Sequence, residues 1–161
     1  MKRNSARLPV LEYLRRSIDR TLEAGHSTHM AYPTAISRTL GIRVVEVGPG
    51  TATVEIDADA AIHGNQQGTV HGGLLSELAD AAIGTAHSTL MAEGESFTSI
   101  ELKVNFFRPV WKSTLRAVAR PVQSGRTLTH YHCEILRDDC KVAALAVSTV
   151  MTLRGERAAG R

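Results

Sequence analysis

The stretch Asn65-Gln66-Gln67-Gly68-Thr69-Val70-His71-Gly72-Gly73-Leu74-Leu75-Ser76-Glu77-Leu78-Ala79-Asp80 decides how this chain is read. It passes from a polar, turn-rich loop into an apolar run with helical spacing. Gly72 and Gly73 stand at the change, where the lack of side chains lets a ligand approach the backbone. The first N–H groups of a helix have no intrahelical acceptor and lie at the positive end of its dipole, a place suited to a developing oxyanion. From Leu74 to Met91 the pattern predicts the longest helix of the chain, with Glu77 and Asp80 its only carboxylates. A helix that is apolar nearly all round is a buried one, and its small residues (Ala79, Ala81, Ala82, Gly84, Ala86) let a sheet come close. A carboxylate such as Asp80 on such a helix is costly unless it is paired or faces a cavity.

Outward from that helix the period changes to two. Toward the C-terminus, Ser99 to Phe106 alternates Ile100, Leu102, Val104 and Phe106 with polar residues, a half-buried strand. Thr114–Val122, Thr127–Leu136 and Lys141–Leu153 follow as strands, joined by the turns Gln123-Ser124-Gly125-Arg126 and Arg137-Asp138-Asp139-Cys140. Toward the N-terminus, Gly48-Pro49-Gly50 separates strands at Ile42–Val47 and Thr51–Ala58, a hairpin. Before it, Pro33 opens a short helix that Gly41 ends. Leu8, Leu11, Leu14, Ile18 and Leu22 form one stripe of a first helix expected over Leu8–Ala24. Glu12, Asp19 and Glu23 among its basic residues favour packing on protein over a membrane surface. The order of elements is α+β, one antiparallel sheet wrapped around one long helix. A single sheet leaves its outer face open, so self-association is expected.

Composition narrows the classes. The 161 residues suit one domain, with 43% hydrophobic and 22% charged residues as in a soluble globular protein. No run approaches a membrane span and the N-terminus has no apolar signal core, which leaves the cytoplasm as the expected compartment. The net charge of +3 is spread out and aromatics are 4%, which argues against a nucleic-acid partner. Cys133 and Cys140 read as a reduced pair. His130 and His132 share a strand face but lack a third ligand nearby in sequence, so no metal is expected.

The spacing Asn-x5-His-Gly-Gly-x6-Asp on a buried helix resembles the phenylacetate-type, HGG-motif family of hotdog-fold acyl-CoA thioesterases. Ser99-Ile100-Glu101-Leu102-Lys103-Val104-Asn105-Phe106-Phe107-Arg108-Pro109 is similar to that family's third strand, and Ser124-Gly125-Arg126-Thr127 to its next hairpin. The likeness runs from about Leu40 to Leu153. It implies a hotdog domain over 33–153, preceded by a helical extension at 1–32 and followed by a frayed tail at 154–161. It also implies hydrolysis of aryl- or short- to medium-chain acyl-CoA to free acid and coenzyme A, with no cofactor beyond the coenzyme A of the substrate. By this resemblance Asp80 would be general base or nucleophile. The Gly72 N–H, alone or with Gly73, would hold the oxyanion, Asn65 would orient the thioester or water, His71 would order the loop or touch the substrate, and Ser99 would position the water. Asp80 and Asn65 would meet across a subunit interface. Arg108, Pro109, Ser124, Gly125, Arg126 and Thr127 would line the coenzyme A channel, and the assembly would be a homotetramer built from dimers. Cys140 and Trp111-Lys112-Ser113 occupy turns where the family often has glycine.

Other readings are narrower. Glu77 lies on the face of Asp80 and reads as a contact residue at the subunit boundary, a two-carboxylate mechanism being the minor alternative. His87, two turns beyond Asp80, reads as packing. A non-catalytic acyl-CoA sensor of the same fold would keep the channel and lose the carboxylate. A hydratase or dehydratase would need a differently paired His and carboxylate.

Overall fold

The computed structural model describes residues 6–159. Its centre is α4 (Gly72–Ser88), with His71 at the N-cap. Six strands wrap it: β1 (Arg43–Gly48), β2 (Thr51–Asp59), β3 (Ser96–Phe106), β4 (Lys112–Ser124), β5 (Leu128–Leu136) and β6 (Val142–Leu153). All pair antiparallel, in the order β1-β2-β4-β5-β6-β3. This is the hotdog arrangement that the sequence resemblance implies. Leu78, Ala79, Ala82, Ile83 and Ala86 of α4 are fully buried against Ile56, Leu115, Ala117, Cys133, Ile135 and Ala146 of the sheet. Alanines face one another on both layers, so helix and sheet approach closely, while each fully buried Leu or Ile contributes about 1.5–3 kcal/mol.

The helix is not buried all round. Gly73 and the stripe through Ser76, Glu77, Asp80, Ala81 and Gly84 stay at least partly open. β3 also departs from the expected half-buried strand: it is an edge, with Ile100 and Phe106 more than half exposed. Its register shifts between Ser99 and Glu101 against β6, a bulge of the kind that re-aims a side chain.

Before the sheet lie α1 (Val10–Ile18) and α2 (Ala35–Leu40), and α3 (Ala60–His63) sits in the loop after β2. α1 is shorter than the apolar stripe suggests. Arg20 takes φ +58°, and the N–H groups of Arg20 and Thr21 close back on the carbonyls of Ser17 and Arg16, a cap that ends the helix before Leu22. α3 went unread because a four-residue turn has no periodicity to show. In place of a frayed tail, Gly155–Ala158 forms a 3-10 turn, and Arg154 bonds the Glu95 carboxylate and the Arg126 carbonyl. Residues 160–161 of that tail and 1–5 of the N-terminal extension lie outside the described residues. Cys140 has φ +60°, the conformation for which glycine is preferred, so the turn keeps its shape at a conformational cost. Cys133 is buried and Cys140 exposed, and both are free. No helix among the described residues is long and apolar enough to cross a membrane.

Candidate active site

The bulge at Ser99 turns its hydroxyl toward α4, where it donates to Asp80 Oδ1 at 3.1 Å. Both line an open groove of about 380 Å³ with Gly73, Ser76, Glu77 and residues 100–102. Glu77 has no hydrogen-bond partner among the described residues. Burial, and then the neighbouring Asp80 carboxylate, raise its pKa above the ordinary carboxylate value. Two carboxylates with one hydroxyl between them form an under-satisfied cluster, able to bind water or to accept a proton.

At the start of α4 the donors are divided. His71 Nδ1 accepts from the Gly73 N–H at 2.9 Å, so that N–H is committed to the cap and the ring proton of the neutral imidazole sits on Nε2. The Gly72 N–H has no acceptor among the described residues. A Cβ at Gly72 would stand 3.0 Å from the Phe106 ring, so a side chain there would make the ring give way by a few tenths of an ångström. Asn65 builds its own loop: its Oδ1 accepts from the N–H groups of Gln67 (2.9 Å) and Thr69 (3.2 Å), and its Nδ2 donates to Thr69 Oγ1 at 3.1 Å. With Gly72, Phe106, Arg108 and Pro109 it lines a second cavity, of about 390 Å³.

The expected site residues therefore fall into two groups within one chain. Asp80 and Ser99 share one groove, Asn65 and Gly72 another. Gly72 and Asp80 are eight residues apart on one helix, about 12 Å along its axis, too far to hold the two sides of a single carbonyl. The coenzyme-channel residues divide as well. Ser99 pairs with Val150, Val150 with Thr129, and Thr129 with Ser124, so the β4–β5 turn lies three strand spacings, roughly 14 Å, from Ser99. Phe106, two residues before Arg108, lies at the other end of β3, about 24 Å from Ser99. Arg108 donates to the Val142 carbonyl at 2.6 Å, which ties it to the start of β6.

One feature escaped the sequence reading. Arg126 and Thr127 line a cavity of about 320 Å³ with Thr152, Arg154 and Arg157, so the turn and the tail together make a cationic pocket. The Thr152 N–H donates to Thr127 O and sets the tail beside the turn, a pairing that no local pattern announces. His87, read from the sequence as packing, lies in the core. It is 1% exposed, with Nδ1 3.1 Å from the Tyr131 hydroxyl and Nε2 3.0 Å from Thr152 Oγ1, a satisfied core histidine as its position suggests. Burial pushes its pKa down to about 4. His130 bonds Thr149 Oγ1, and no cluster of three metal-ligating side chains occurs among the described residues.

The thioesterase superfamily model matches residues 67–144. A Deinococcus radiodurans protein named "Putative esterase" is 36% identical over 123 residues, covering 74% of this chain and 81% of that one. The structure of the Escherichia coli PaaI protein of the phenylacetic acid degradation operon superposes with TM-score 0.70 at 27% identity, over 76% of this chain and 87% of that one. A thioesterase family protein from Silicibacter pomeroyi superposes with TM-score 0.71 at 29% identity, over 91% of this chain and 99% of its own. On sequence and architecture together, this chain belongs to the thioesterase superfamily and is a hotdog-fold thioester hydrolase.

Proposed function

We propose that the protein hydrolyses acyl-CoA thioesters, aryl or short- to medium-chain, at a site assembled from two subunits. The observation that carries this reading is the roughly 12 Å along α4 between the free Gly72 N–H and Asp80, which leaves each chain with half of a site. β3 is an exposed edge whose outward Ile100 and Phe106 favour pairing with a second copy. A two-fold pairing of β3 with itself is antiparallel, so the Phe106 end of one strand comes beside the Ser99 end of the other. That brings Asn65, His71 and Gly72 of the partner subunit toward Asp80 and Ser99.

In this site the Gly72 N–H of the partner subunit binds the thioester oxygen and gains strength as the oxyanion forms. His71 fixes the start of the helix and spends the Gly73 N–H in doing so, leaving Gly72 as the donor. Asn65, its loop already ordered by its own side chain, turns its remaining Nδ2 hydrogen toward substrate or water. Asp80 takes a proton from a water held with Ser99, the water oxygen bonds the carbonyl carbon, and the C–S bond breaks as the thiolate leaves and is protonated. Direct attack by Asp80 through an anhydride gives the same products, and turnover in oxygen-18 water separates the two routes. The pocket of Arg126, Arg154 and Arg157 offers charge-assisted donors to the coenzyme phosphates, and Arg108 and Pro109 of the partner subunit border the same approach. The outer sheet face leaves Val122, Leu128 and Val147 exposed, a surface suited to joining two dimers into a tetramer.

The test is coenzyme A release from phenylacetyl-, hydroxybenzoyl-, short- and medium-chain acyl-CoAs, wild type beside Asp80→Asn. Turnover that the variant loses while staying folded establishes the reading. Tight coenzyme A binding without wild-type turnover would make the protein an acyl-CoA sensor instead.

A further inference from the structure

Hydrolysis changes the charge of what the site holds. The thioester group is neutral. Once water has added and the C–S bond has broken, the new acid gives its proton to solvent and a carboxylate remains. The Gly72 N–H that holds the oxyanion is a donor for that carboxylate too, at the positive end of a helix dipole. Left to this donor, the site would keep its product.

Glu77 stands where it can oppose that hold. It lies one turn before Asp80 on the same face of α4, with Cβ atoms about 5–6 Å apart, and both border one groove. No Lys, Arg or His lines this groove, whose charged side chains are Glu77 and Asp80 from α4 and Glu101 from β3. Ser99 donates to Asp80 at 3.1 Å, and Thr149 donates to Glu101 at 2.8 Å. Glu77 has neither a hydrogen bond nor a cation among the described residues. A half-buried carboxylate kept for folding would have such a partner. Burial, and then the Asp80 carboxylate, raise its pKa, so the two groups feel each other across the groove. A third carboxylate set beside them meets both charges.

We propose that Glu77 discriminates product from substrate: its unpaired charge beside Asp80 weakens the hold on the carboxylate that hydrolysis creates and has no charge to act on in the thioester. The proposal rests on the acyl-CoA hydrolase reading above. Glu77 moves no proton in this role. It is a repulsive element, placed against the one species the site makes and has to release.

The test compares two ligands of nearly equal shape, phenylacetate and the neutral phenylacetamide, as inhibitors of coenzyme A release at pH 8. Wild type is set beside Glu77→Gln, which removes the charge and keeps the shape, and Glu77→Asp, which keeps the charge. In wild type the acid should bind more weakly than the amide. In Glu77→Gln the ratio of the acid's Ki to the amide's should fall by about tenfold or more, the scale of one like charge at this spacing in a half-open groove. Glu77→Asp should stay near wild type. A purely structural role would shift both ligands together and leave the ratio alone. A ratio in folded Glu77→Gln within about threefold of wild type, or no inhibition by the acid in that variant, overturns the proposal and leaves the hydrolase reading standing. Absence of wild-type turnover on every thioester tried would instead remove the hydrolase reading, and this role with it.

Discussion

The last turn of α4 and its middle each carry titratable side chains, and they treat them in opposite ways. Near the C-terminal end, His87 is enclosed by Tyr131, Thr152 and Phe97, and both of its ring nitrogens have partners within the chain. At the middle of the helix, Asp80 has one hydrogen bond, from Ser99, Glu77 one turn before it has none among the described residues, and both face an open groove. The first arrangement is complete and serves stability. The second is unfinished within one chain and leaves capacity for water, substrate and a second subunit. A polar group on an apolar helix is therefore informative less by its burial than by what remains unsatisfied around it.

Substitutions at the two places sharpen this contrast. Asp80→Asn is expected to lower kcat by about 10²- to 10³-fold, the scale of a lost general base, with thermal unfolding close to wild type. Steady-state turnover beside a melting curve checks it, and a large loss of stability would place Asp80 with His87 as a structural group. His87→Ala is expected to do the reverse. It opens a cavity and strands the Tyr131 hydroxyl, at a cost of about 2–4 kcal/mol, while activity per folded molecule stays within about threefold. Urea unfolding and active-fraction kinetics measure the two quantities.

The contrast also has a pH signature. His87 binds a proton more weakly folded, at about 4, than unfolded, at the ordinary histidine value of 6.5, so the unfolded state takes up more protons between those values. The stabilisation is complete above pH 6.5 and is lost as pH falls toward 4, amounting to about 2 kcal/mol between pH 7 and pH 5. Urea midpoints over that range should fall in wild type and flatten in His87→Phe. Equal slopes in the two proteins would remove His87 as the source. The smallest effect is expected for Ser99→Ala, which removes one hydrogen bond to Asp80: about tenfold in kcat, near the 1–1.5 kcal/mol of such a bond, with stability unchanged by calorimetry. A loss equal to that of Asp80→Asn would mean that Ser99 does more than hold water.

The sheet and helix were legible because their periods are strong. The alternation in residues 99–106 and the apolar run after Gly73 leave little choice of element. α1 was overrun because its stripe continues through Leu22, while the cap at Arg20 that ends it has no sequence signature. The edge position of β3 was not legible, since alternation reports which faces differ and does not report whether both are open. The site was readable as a set of residues at known spacings but not as a geometry. Nothing in the string separates Asn65 and Gly72 from Asp80 and Ser99. Three strand pairings are needed to place Ser124 roughly 14 Å from Ser99, and the helix rise to part Gly72 from Asp80. Arg154 and Arg157 joined Arg126 only through tertiary pairing.

The central claim is that one chain supplies Asp80 and its partner supplies Asn65. Mixed oligomers of Asp80→Asn and Asn65→Ala subunits, unfolded together and refolded as a statistical mixture, test it directly. Each variant alone should be nearly inactive. A mixed dimer with a shared site has both lesions in one site and an intact second site, so activity should return to about a quarter of wild type for an equal mixture of a two-fold symmetric pair. Activity in the mixture no higher than the average of the two separate variants would contradict the account and return the whole site to a single chain.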